Sequence, residues 1–87
     1  MITRIVLDVL KPRSPSVLEF ASAIADKSPG CSVRVTVDEV DEKTESTIVE
    51  VQGHNISFEN LSAAIDDLGG SVHSVDEVEM NGAGSTS

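Results

Sequence analysis

Six side chains in this sequence have the chemistry to hold a hard cation or to move a proton: Asp8, Glu39, Asp41, His73, Asp76 and Glu77. Calcium and magnesium take oxygen ligands, and several carboxylates must converge before either ion is held. His73 adds an imidazole that titrates near neutrality and can act as ligand or proton carrier. With an ion in place, Asp8, His73 and Asp76 would also suit a metal-assisted hydrolase, in which the ion activates water. Fifteen Asp and Glu against six Lys and Arg give a net charge of -9, so the same residues equally suit a solvated acidic surface.

Other constellations are incomplete. Cys31 is single, which excludes the paired thiolates of a copper or zinc chaperone and any internal disulfide. A lone thiol fits a reducing cytoplasm, and at the start of an apolar alternation it acts as a small hydrophobe. His54 and His73 have no nucleophile at a recognisable spacing. Lys11, Arg13 and the helix start that follows offer an anion cradle of the acylphosphatase kind, but Pro12 and Pro15 remove backbone donors from it. Phe20 and Phe58 are the only aromatics, so nucleic-acid bases have nothing to stack on. A pI near 4.3 repels phosphate backbones and anionic lipid. Nucleic acid and membrane are therefore not expected as partners. The apolar run at the N-terminus is broken by Arg4 and Asp8, too short for a signal peptide, and no run reaches membrane-spanning length. The acidity suits a cytoplasm of high salt, a halophilic setting in which carboxylates are screened from one another.

The elements that must position these residues fit into one small domain, because 87 residues with 39% hydrophobic content cannot divide their apolar surface between two cores. Residues 2–10 alternate, with Thr3, Ile5, Leu7 and Val9 on one face and Arg4, Val6 and Asp8 on the other, the period of a half-buried strand closed by Lys11-Pro12. Ser14-Pro15 or Ser16 with Glu19 opens a helix whose stripe is Val17, Phe20, Ala21, Ile24 and Ala25, ended by Ser28-Pro29-Gly30. Cys31, Val33, Val35 and Val37 alternate with Ser32, Arg34, Thr36 and Asp38. A solvated turn near Glu42-Lys43-Thr44 leads to a second arm, Thr47 to Gln52, ended by Gly53-His54-Asn55. Ser57 caps a second helix with Phe58, Leu61, Ile65 and Leu68 on its stripe, and Gly69-Gly70 stops it. Residues 71–78 form a last strand. The domain then spans residues 1–79, and residues 80–87 read as a disordered Gly/Ser tail.

The order strand, helix, strand, strand, helix, strand is the α+β, ferredoxin-like βαββαβ arrangement: a four-stranded antiparallel sheet with two helices on one face. The first and fourth strands become neighbours, which brings Asp8 towards His73, Asp76 and Glu77. The bare face should carry Arg4, Val6, Asp8, Arg34, Thr36, Asp38, Ile48, Glu50 and Gln52.

Arg4-Ile5-Val6-Leu7-Asp8-Val9-Leu10-Lys11-Pro12 and Gly69-Gly70-Ser71-Val72-His73-Ser74-Val75-Asp76-Glu77-Val78 resemble the two signature segments of the archaeal domain-of-unknown-function 211 family. Glu39-Val40-Asp41 and Val51-Gln52-Gly53 are similar as well, and the resemblance spans residues 2–78. It implies a ferredoxin-like domain that assembles into homo-oligomers such as rings, with no established enzymatic activity and with bound calcium. The chain departs from the family in its acidity and its Gly/Ser tail. Self-assembly has a separate argument, since a small sheet with a bare face and two edges gains by covering them with a copy of itself. The leading expectation is a non-enzymatic, cytoplasmic homo-oligomer binding calcium, magnesium or a small ligand through Asp8, His73, Asp76, Glu77, Glu39 and Asp41. A metal-assisted hydrolase and a ligand-sensing regulatory subunit are the rival classes.

Overall fold

The computed structural model describes residues 1–82. Its elements are β1 (Ile2–Pro12), α1 (Val17–Asp26), β2 (Ser32–Val40), β3 (Thr44–Ile56), α2 (Phe58–Asp67) and β4 (Ser71–Met80). The sheet order is β2-β3-β1-β4, with every neighbouring pair antiparallel. This is the expected ferredoxin-like α+β fold.

Sequence alternation decides which face is dry. Ile5, Leu7 and Val9 of β1 and Val49 and Val51 of β3 form one buried cluster with Phe20 and Ile24 of α1 and Leu61 and Ile65 of α2. Taking each large side chain out of water contributes about 1.5–3 kcal/mol, so this layer between helices and sheet supplies most of the driving force. Across the pleat, Arg34, Thr36 and Ile48 are exposed and Val6 and Asp8 half-buried, so the bare face is where the alternation puts it.

Both helices start as their caps dictate. The Ser16 hydroxyl accepts the Glu19 amide and the Ser57 hydroxyl accepts the Asn60 amide, each at 3.2 Å, satisfying donors that have no partner inside the helix. Of the two expected starts for α1, the Ser16 cap is the one used. Gly69 closes α2 with a left-handed φ of 82°, a conformation that costs glycine nothing.

Strand ends extend further than the alternation indicates. β1 runs through Lys11-Pro12 instead of closing there. β3 passes through Gly53-His54-Asn55 to Ile56, because Gly53 lets Cys31, the residue just before β2, approach: a Cβ on Gly53 would stand 2.7 Å from the Cys31 sulfur. β4 continues to Met80, and the Asn81 amide donates to the Met1 carbonyl at 2.9 Å. Regular structure thus reaches into the segment read as a tail, whose residues 83–87 lie outside the described residues.

Candidate functional site

The central strand β1 places Asp8 on the bare face, opposite Ile48 of β3 and Ser74 of β4. β4 pairs with β1 through three irregularities, one between Ile2 and Arg4, one between Val6 and Leu7 and one between Asp8 and Val9; the last two place extra residues on β4. Glu77 faces Val6 and Val75 faces Leu7, so Asp76 is the extra residue of the first bulge. Ser74 faces Asp8 and Val72 faces Val9, which makes His73 the extra residue of the second. A bulge re-aims its side chain and increases local twist. Asp76 and His73 are both exposed, and the Ser74 hydroxyl donates to Asp76 at 2.7 Å. β1 and β4 are neighbours as expected, with Asp8 opposite Ser74 and Glu77 opposite Val6.

Glu77 is engaged within the chain. Arg4 donates from Nε to Glu77 and from Nη2 to Glu50, both at 2.9 Å, so one β1 guanidinium bridges its two neighbouring strands across the bare face. These hydrogen bonds, the one to Glu77 foremost, hold Arg4 protonated beyond the ordinary arginine range. Beside this bridge lies a shallow depression of about 330 Å³ lined by Arg4, Ser32, Arg34, Glu50 and Gln52. Arg34 makes no ion pair among the described residues.

Glu39 and Asp41 are not brought to the same place. They lie at and just beyond the end of β2, on the opposite edge of the sheet, with β3 and β1 between β2 and β4. Three strand spacings separate the two edges by roughly 14 Å, too far for the six residues to share one ion within a chain. Among the described residues no three His, Cys, Asp or Glu side chains gather as a metal cage.

Lys11 is the polar residue that the alternation hides. It follows Val9 on the dry face, is fully buried, and donates from Nζ to Glu45 and to the Pro12 carbonyl, both at 2.8 Å. The Phe20 ring lies 5.8 Å from the ammonium. Arg13 reaches the second Glu45 oxygen at 3.4 Å and donates to the Asp41 carbonyl at 3.2 Å. Lys11, above all, lowers the Glu45 carboxyl below its ordinary pKa. The ammonium sits between two fixed oxygen acceptors and the ring, so the cluster clamps the β2–β3 turn onto β1. Position parity with Ile5, Leu7 and Val9 is the signal that marks Lys11 as inward-facing. Cys31, as expected, is partly buried and packs against the core.

Among the described residues no helix is long and apolar enough to cross a membrane. A family profile described as uncharacterized ArCR, domain of unknown function 211, matches residues 3–84. The uncharacterized protein MJ0319 of Methanocaldococcus jannaschii is 42% identical over 77 residues, which cover 88% of this chain and 79% of that protein.

Proposed function

The chain belongs to the archaeal domain-of-unknown-function 211 family, and on that premise we propose that it is a binding module that works as a homo-oligomer, with calcium or magnesium held between copies. The observation that carries this reading is the outer edge of β4, where Val75 and Val78 are each 45% exposed and Met80 is 63% exposed. Aliphatic side chains along an unpaired strand gain by being covered, and a second copy covers them without requiring any other partner. Asp8, Asp76 and Glu77 lie on or beside this edge, while Glu39 and Asp41 belong to the opposite one. Oxygen donors divided in this way can complete the shell of a hard cation only where two copies meet. The ion then offsets the repulsion that a net charge of -9 per chain imposes on assembly.

Titrating calcium or magnesium into chelator-treated protein while following mass by light scattering tests this reading. Chelation lowers the mass, either or both ions restore it, and Asp8→Asn and Asp76→Asn each weaken ion binding. A mass that ignores the chelator, with ion affinity unchanged in both variants, removes the cation from the account. A monomer under every condition removes the assembly.

A further inference from the structure

We infer that the bare face holds a small α-amino acid as its zwitterion, in the depression over β2, β3 and β1, with the carboxylate on Arg34 and the ammonium on Glu50. The site lies within one chain and depends neither on self-association nor on a cation.

Strand register builds the depression. Ser32 is level with Gln52 and Gln52 with Arg4; in the next row of the same face Arg34 is level with Glu50 and Glu50 with Val6. Residues two apart share a face of a strand, so the rows stand about 7 Å apart along the strands, and each crosses three strands over about 10 Å. Arg4, Ser32, Arg34, Glu50 and Gln52 line a space of about 330 Å³. That lies at the small end of the roughly 300–1,000 Å³ of ligand pockets, so the occupant has few heavy atoms. No lining side chain is apolar, and a hydrocarbon ligand gains nothing there.

Uncommitted groups set the chemistry. Arg34 has no ion-pair partner among the described residues, because Glu50, opposite it on the ladder, has turned one oxygen to Arg4 at 2.9 Å. The free guanidinium fork matches the two oxygens of a carboxylate. Among the described residues the side chains of Ser32 and Gln52 make no hydrogen bond within the chain, and both can donate to the same carboxylate. Glu50 binds Arg4 through Oε1, which leaves Oε2 for a cationic donor. Directly opposed residues of an antiparallel ladder have Cβ atoms about 5 Å apart. An α-amino acid carries its carboxylate and ammonium on one carbon, so a single molecule meets both.

Charge selects a zwitterion over an anion. Arg4 and Arg34 stand against Glu50 and Glu77, the two acids that Arg4 holds, and these four charges cancel. The whole chain carries -9, a field that repels phosphate and dicarboxylates and leaves a molecule of zero net charge unopposed. A simple monocarboxylate would satisfy Arg34 but set its own charge beside Glu50.

Free glycine has the two charged groups and nothing else, and titrating it against its fragments by nuclear magnetic resonance at constant ionic strength tests the assignment. Acetate lacks the ammonium; methylammonium lacks the carboxylate. Glycine shifts the amides of Ser32, Arg34, Glu50 and Gln52 saturably, and each fragment binds about tenfold more weakly, the loss expected for one charged hydrogen bond. Arg34→Gln weakens glycine binding by about the same factor. Glu50→Gln removes the acceptor of the ammonium and inverts the preference, so that acetate binds more tightly than glycine. Resonances of core residues at their wild-type positions show that both variants are folded. Wild-type protein with no saturable shift on adding glycine, or one that binds acetate as tightly as glycine, overturns the assignment, as does glycine binding unchanged in both variants.

Discussion

Lys11 with Glu45 on the helix-covered face and Arg4 with Glu50 and Glu77 on the bare face use one design, a β1 cation held by an acid of β3. Their surroundings differ. Lys11 is fully buried, while the Arg4 side chain keeps 24% and that of Glu77 57% of its exposure. In the dry site every donor is spoken for, and the pair fixes the β2–β3 turn to the central strand. In the wet site the acids retain free oxygens, and water screens their attraction to Arg4. Opposite charges therefore serve the fold where water is excluded and remain free for a partner where it is not.

The comparison is broken most readily by removing the two cations in turn. Lys11→Ala leaves the Glu45 carboxylate short of its main partner and opens a void beside Phe20, and it lowers unfolding stability by about 3 kcal/mol. Arg4→Gln, measured by the same denaturant titration, leaves the midpoint close to wild type. Equal losses in the two variants would show that burial does not separate the two networks.

A smaller effect sharpens it through pH. Lys11 holds the folded Glu45 carboxyl below its ordinary value of 4.5. The stability this contributes is fully present above that value and is lost as pH falls through the lower, folded one. Glu45→Gln flattens this part of the acid limb in thermal unfolding followed by circular dichroism. An acid limb unchanged by the substitution would mean that Glu45 is not the group being protonated.

Much of this was legible before any coordinate. Alternation in residues 2–10 and 31–38 gives the two faces of the sheet, Ser57 fixes the start of the second helix, and the start of the first is narrowed to Ser14 or Ser16, because strand period and cap chemistry are local. The extra length of β3 was hidden, since Gly53 reads as a terminator until its close approach to Cys31 is known. The bulges at His73 and Asp76 were hidden for a related reason: a bulge exists only relative to a partner strand, and no single segment encodes it. Lys11 reads as a surface residue by type and as a core residue by parity, and the availability of Glu45, thirty-four positions away, decides in favour of parity. For the candidate site, the neighbourhood of Asp8 with β4 followed from topology. The separation of Glu39 and Asp41 onto the other edge followed from the strand order, which places β2 and β4 outermost.

Amide hydrogen exchange across a dilution series tests most directly the claim that both edges of the sheet are covered by neighbours. At high protein concentration, amides of Ser32–Val40 and Ser71–Met80 become protected together and lose that protection in parallel on dilution, while those of β1 and β3 change little. Edges that exchange equally fast at every concentration, in a protein whose mass still grows with concentration, would contradict it.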